Sequence, residues 1–431
     1  MKLKTIVNII LAAASPVLAA QPQQTARFTV TPKTPSAISM TTLPNATCVL
    51  HAKGANNPKQ SLKLFADEQG TLRFNAVPSA ESDQTAELEV DCQNANQSAT
   101  FPLHLRPSFS PTVEMPTPSA ESIAPTKAGY IRPALTQEEA MQLSPAALAS
   151  KGYPTRPNPQ ESPKAFATWL RGVTQPSRYV PAKLVNRPEM THVRQSVSGA
   201  FETSNNWSGY ELRGPAGSYV AVQGMWTVPS VAYESNQHIY SAYWIGLDGD
   251  GTSDLVQAGT EQEITNINFL WFNITFTNYY AWTEFLPQQP TEQVISNFTV
   301  NPGDEISCSV SMGGNFIIPY LSGPDGIFII DDVTRGEYTS VATPRGTTNV
   351  GGSEAEWIME RPTVGGSLPD LANYGVAFMW NASALSAKTY NWVNYSAAAN
   401  QQIFMYNGSD LLSTAYYLTP SEMFFVWTAF H

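Results

Sequence analysis

Cysteine is scarce in this chain, with three in 431 residues. That excludes a disulfide-dense miniature scaffold and a Cys-rich zinc fold. Charge is scarce too, at 14% of residues, and cations almost vanish from the second half. Residues 199–431 hold 5 Lys+Arg against 22 Asp+Glu, whereas residues 21–198 hold 17 against 13. At a net −11, nucleic acid and anionic membranes are poor partners. Histidine is equally thin: after residue 199 there are only His238 and His431. A Ser-His-Asp or Cys-His device would have to rest on His238, for which a surface role is the simpler reading. Two histidines without a cysteine pair also argue against a catalytic zinc site. There is no Walker or dinucleotide glycine loop. No cofactor and no metal are therefore expected.

What is present is aromatic, neutral-polar and rich in turn residues: 11% Phe, Trp and Tyr, 27 Gly and 33 Pro. Extracellular β-proteins have this profile. The N-terminus agrees. MKLKTIVNIILAAASPVLA carries Lys2 and Lys4, an apolar run through Ala14, and small residues before Gln21. Residues 1–20 thus read as a secretory signal. No other stretch is long and apolar enough to cross a bilayer. The expectation is a secreted, extracellular protein, or a periplasmic one in a Gram-negative host.

Composition and charge divide the rest. Residues 21–108 read as a small β-domain of short alternating strands, with Cys48 and Cys92 in strand-like stretches and expected to be bridged. Cys308, alternating inside EISCSVSM, reads as a small buried hydrophobe. Residues 109–198 are Pro-rich and loosely built around two short helices. One starts at Thr136, with Glu139 completing a capping box. The other starts at Ser162-Pro163, with Phe166, Trp169, Leu170 and Val173 on one face. From 199 onward no helix is expected. Short strands follow one another (SYVAVQGMWTV, HIYSAYWIGL, INFLWFNITF, YYAWTEFL, YGVAFMW), which argues for an all-β antiparallel sandwich.

Period-2 counting exposes the chemistry. In AEWIMERP, with Glu354 just before it, Glu354, Glu356, Ile358 and Glu360 share one strand face, and Ala355, Trp357, Met359 and Arg361 share the other. Likewise Trp244 goes with Gly246 and Asp248, Leu255 with Gln257 and Gly259, and Tyr280 with Trp282 and Glu284. Each strand offers a face mixing Trp or Tyr with Glu, Asp or Gln. A solvated sheet face with scattered charges is the bland alternative; a polar, aromatic-walled groove is the functional one.

In order, W244-I-G-L-D-G-D250, L255-V-Q-A-G259, Y280-A-W-T-E-F285 and A355-E-W-I-M-E360 resemble the glutamic peptidases of the G1 (eqolisin) family. N206-W-S-G209 resembles that family's start-of-domain motif, and the likeness spans residues 200–431. It implies a sandwich of two curved sheets, concanavalin-like or jelly-roll in kind; the signal and N-terminal half look bacterial in type, and residues 21–198, mildly basic against an acidic groove, read as a long prosegment. It also implies a catalytic dyad that falls on Gln257 and Glu360. Trp244, Asp248, Trp282 and Glu284 match supporting positions, and Glu356, Asn206 and Trp207 fall in the groove. In that scheme Glu360 takes a proton from water and Gln257 donates to the oxyanion. Asp248 and Glu284 would orient the amide and carboxyl. An unperturbed Glu titrates at about 4.3, which suits acid media.

The likeness has gaps. Arg361-Pro362 follow the dyad Glu, and Leu286 stands where an active-site Tyr is expected. The expected partners are protein or peptide substrates and the chain's own prosegment as an intramolecular inhibitor, in a monomer. Within that prosegment, residues 109–198 carry 10 Lys+Arg against 6 Asp+Glu. Docking should weaken below about pH 5 as carboxylates protonate, with self-cleavage at 190–205 and a product starting close to Ser204. Two other functions fit the same groove. One is a glycoside hydrolase using Glu284 with Glu356 or Glu360, which would have no need of Gln257. The other is a carbohydrate-binding lectin-like module, which would leave a denatured protein intact.

Overall fold

The structure is a computed structural model. It describes residues 25–54, 60–80, 82, 84–107, 131–151, 153–195, 202–232, 238–269, 272–312, 326–344, 346, 350–398, 400–429 and 431. Residues 1–20, where a secretory signal is expected, lie outside these residues.

From residue 202 the described chain is strand and turn, with no helix. One sheet runs in the order Trp207–Arg213, Glu354–Glu360, Ile239–Leu247, Leu255–Asn268, Asn273–Leu286, Gln289–Thr299, every pair antiparallel. The second sheet packs behind it around Tyr219–Thr227, which pairs with Glu305–Met312 on one side and Val376–Ser386 on the other. Strand Asn400–Asn407 pairs with both sheets and closes one edge. Between them lies the core, with Trp226, Tyr243, Ile245, Ala258, Phe285, Cys308, Trp357 and Met359 all buried. The strand alternation is the one read from the sequence: Ala355, Trp357 and Met359 point into this core. Glu356, Ile358 and Glu360 point to the opposite face. INFLWFNITF is not one strand, however. It is the tip of a hairpin in which Asn268 pairs with Asn273. Both arms are apolar because a second core covers them, and that hides the turn.

That second core belongs to the N-terminal β-domain. Its five-stranded sheet is bridged by Cys48–Cys92. Strand Thr71–Pro78 pairs with Ser36–Thr41 and then extends the large sheet by pairing with Asn273–Leu286. Ile267, Phe272, Ile274 and Phe276 are buried among Leu72, Phe74 and Leu64.

Residues 131–195 are not loosely built. Helix Gln137–Gln142 has its capping box, and helix Pro163–Val173 follows a third helix, Pro145–Ser150. Trp169 and Val173 pack with Met225 and Trp380 on the back sheet. The segment then turns the edge of the sandwich. Ser177–Tyr179 pairs with Glu337–Thr343, Leu184–Asn186 with Gln289–Thr299, and Met190–Thr191 with Thr363–Val364. A Pro-rich segment lacks a core of its own, so it borrows one and satisfies its backbone on existing strand edges.

Gly259 shows how tightly the front sheet is fitted. A Cβ there would lie 2.3 Å from the Tyr243 carbonyl oxygen and 2.5 Å from Trp244 Cβ. Gly259→Ala is expected to cost about 1–3 kcal/mol by overpacking. A denaturant titration that left the midpoint unmoved would show that the strands can part.

Candidate active site

The strand register lays the outward-facing residues in rows. One row reads Glu211, Glu356, Gly246, Gln257, Glu284. The next outward row reads Gly209, Ile358, Trp244, Gly259, Trp282, and the third Trp207, Glu360, Ala242, Glu261, Tyr280. Glycines at 246 and 259 let Trp244 and Gln257 pack directly over the strand backbone: a Cβ at Gly246 would lie 3.0 Å from the Trp244 ring and 3.2 Å from Gln257 Cβ.

Glu360 is fully buried and its two oxygens are taken by three donors. Trp244 Nε1 donates to Oε2 at 2.7 Å, and Asn206 Nδ2 to Oε1 at 3.1 Å. His192 Nδ1 lies 2.9 Å from Oε2. Gln257 Nε2 donates to Glu284 Oε2 at 2.7 Å and points its other hydrogen toward the His192 carbonyl oxygen, at 3.5 Å. Gln257 and Glu360 therefore meet at one residue, His192, which the sequence reading did not single out. Its ring stacks on Trp282 at 3.8 Å, and Nε2 lies 3.1 Å from Glu292 and 3.8 Å from Glu261.

His192 is not alone in the cleft. Arg187 is buried beside Glu263 and Glu292 and donates to the Tyr280 hydroxyl. Arg194 pairs with Asp250. Arg187, His192 and Arg194 thus sit in a groove lined by carboxylates. Burial opposes the charge on His192, yet Glu360, Glu292 and Glu284 outweigh it and push its pKa well above 6.5. His192, Glu261 and Glu292 bring one ligand atom each within 4.8 Å of one another, a grouping that could hold a metal ion. The same grouping suits an imidazolium between carboxyl groups, which is how His192 sits here.

Not every expected site residue joins the cleft. Among the described residues Asp248 makes no hydrogen bond to Gln257 or Glu360. It accepts from the backbone N–H groups of Gly352 and Ser353 at 2.6 and 2.8 Å and from Ser353 Oγ at 2.9 Å. Its work is to hold the loop that enters strand Glu354–Glu360, which corrects the orienting role expected of it. Trp207 meets Trp244 edge-on at 4.8 Å and walls the Glu360 side. His238 lies 2.9 Å from Glu263 and serves no nucleophile.

A model of the Peptidase A4 family matches residues 205–423, more than half of the chain. The chain belongs to the Peptidase A4 family. This bears out the resemblance to G1 (eqolisin) glutamic peptidases. Among curated proteins, aspergillopepsin-2 of Aspergillus niger is 28% identical over 207 residues, 43% of this chain and 66% of the relative. The matched region therefore spans slightly less than two thirds of that relative. Among solved structures, scytalido-glutamic peptidase with a peptide-based transition state analog aligns over 52% of this chain and 98% of its own, at 18% identity and TM-score 0.40. SCP-B, an eqolisin family member in complex with the tripeptide Ala-Ile-His, aligns over the same shares at 16% and 0.38.

Burial gives this Peptidase A4 family member an unusual pH profile. Desolvation raises Glu284 and Glu354 to about 7 each. A carboxyl raised on folding binds its proton more tightly in the native state, so its stabilisation is lost as pH rises from 4.5 to 7. His192, also raised, works in the same direction. For Glu284 the swing is on the order of 3 kcal/mol. Glu263 does the opposite: Arg187 and His238, outweighing burial, hold it down to about 2, and that contribution is lost as pH falls from 4.5 toward 2. The full chain should therefore melt highest near pH 4.5 and lower at both pH 8 and pH 2. A thermal series peaking at pH 8 would contradict this.

Proposed function

We propose that the chain is a secreted, acid-acting endopeptidase that uses Glu360 as general base and Gln257 as oxyanion donor, and that residues 131–195 hold it inactive. The observation that carries this reading is the meeting of both side chains at one backbone residue of an extended segment. Gln257 faces the carbonyl of His192 while Glu360 faces its ring.

In a substrate complex a water would take the place of that ring at Glu360 Oε2. Glu360 accepts a proton from the water as its oxygen attacks the carbonyl carbon. The carbonyl oxygen becomes an oxyanion beside Gln257 Nε2, which donates without titrating. Glu360 then returns the proton to the departing amine, and the C–N bond breaks. Glu284 keeps the amide turned so that one of its hydrogens faces the carbonyl. Trp244 fixes the carboxylate of Glu360, and Trp282 supplies the wall on which a side chain lies.

The prosegment blocks this by occupation. Its imidazole sits where the water must go, and its cations complement the groove. Export rests on the first 20 residues alone.

The test is digestion of a denatured protein across pH 2–7 after acid treatment of the chain. Activity in acid should survive serine reagents, thiol reagents and chelators, since Cys308 is buried in the core. Loss on chelation would assign the chemistry to a metal instead.

A further inference from the structure

Arg194 lies two residues beyond His192 and enters a second acidic pocket, separate from the dyad. The pocket is built from Glu211, Asp248, Asp250, Glu354 and Glu356, and among the described residues Arg213 is the cation that the sandwich itself sets against them. Arg194 is 2% exposed at its side chain and pairs with Asp250, which Arg213 also reaches. Arg213 Nε donates to Glu211 at 2.5 Å. Glu356 is fully buried, and neither of its oxygens has a hydrogen-bond partner among the described residues. Glu211 Oε2 is likewise unpartnered. Five acids facing one resident cation form an unfinished ion cluster. Desolvation pushes Glu211, Glu354 and Glu356 up, with repulsion from neighbouring carboxylates adding to it at Glu354 and Glu356, and Arg194 is among the groups that oppose this. Removing Arg194 would leave buried carboxyl groups short of a positive charge, a costly arrangement.

The register of the prosegment says which substrate residue would replace it. Gln257 approaches the His192 carbonyl, so the bond presented to the dyad is His192–Val193. Val193 is 44% exposed and points out of the groove. Arg194, on the same side of the extended chain as His192, reaches the pocket.

We propose that the pocket of Asp250, Glu211 and Glu356 is a subsite for a basic side chain, arginine above all, two residues after the bond that is cut. The proposal rests on the peptidase reading above. A guanidinium suits it, because Arg194 already sits there, paired with Asp250 and acting through its charge on Glu211, Glu354 and Glu356. Glu356 and Asp250 act here on substrate choice, not on the proton transfers.

The experiment is digestion of a mixed peptide library by the acid-matured protein, with cut sites mapped by mass spectrometry. Arginine should be enriched about tenfold at the second position after the cut, with lysine enriched less. Asp250→Asn and, separately, the isosteric Glu356→Gln should bring that enrichment toward unity, read as the share of arginine among whatever cuts each variant makes. Cutting with no basic preference at that position, or a preference unchanged in both variants, overturns the subsite but leaves the peptidase reading standing. No cutting of any peptide overturns both.

Discussion

Glu360→Gln is expected to lower peptide hydrolysis by about a thousandfold or more while the fold persists. General base catalysis contributes about 10²–10⁴, and an amide cannot accept the proton from water. The substitution preserves volume in a fully buried position. Its structural cost comes from facing an NH₂ toward a donor. Trp244 Nε1, Asn206 Nδ2 and His192 Nδ1 all address the carboxylate, so one hydrogen bond is lost, at about 1–3 kcal/mol. Circular dichroism and melting temperature separate that cost from lost chemistry. Gln257→Ala is the companion. Removing an oxyanion donor costs about 10²–10³ in rate, whereas a glycosidase working through carboxyl groups would be indifferent to it. A Glu360→Gln protein that digests at the wild-type rate would remove Glu360 from the mechanism.

The second large effect concerns the plug. A synthetic peptide spanning residues 183–195 should inhibit the acid-matured protein, and the same peptide with His192→Ala should inhibit it far less. Truncating one member of a buried charge pair costs about 2–5 kcal/mol, or roughly 30-fold to several thousandfold in affinity. In the full chain, His192→Ala should shorten the lag before activity appears in acid. An unchanged inhibition constant would show that the ring is incidental. The response to acid is graded along the segment. Glu354 near Arg194 and Glu284 near His192 are both raised to about 7 and lose their charge early as pH falls. Glu263, held at about 2, keeps Arg187 paired in strong acid. Release should therefore begin at the end carrying His192 and Arg194, ahead of Arg187. At Arg187 the loss of docking is therefore expected at lower pH than the value near 5 that reference carboxylates give.

These two predictions draw on different parts of the sequence, and they were not equally legible in it. The faces of the cleft strands could be read because a strand buried on one side must alternate, and Trp357 and Met359 mark the core side of Glu356 and Glu360. The apolar run at 267–276 misled because both arms of its hairpin are covered by the N-terminal β-domain, so burial erased the polar turn signal. Asp248 misled in another way: motif position put it near the dyad, while its carboxylate is spent on the backbone of residues 352 and 353. His192 gave no local signal at all. A two-residue strand has no period to count, and the residue matters only through a pairing made across the fold. The clue that could have found it is electrostatic. Arg187, His192 and Arg194 cluster in a stretch where only Glu189 is acidic, directly ahead of a domain with 22 acidic residues and 5 basic ones.

The central claim is that this cleft hydrolyses peptide bonds through Gln257 and Glu360. Its most direct test is incubation of an unfolded protein with the acid-treated chain at pH 4, with peptide mapping of the digest beside a Glu360→Gln control. The account predicts new internal termini that accumulate with time in the wild type and none in the control. An intact substrate, or the same fragments from both proteins, would contradict it.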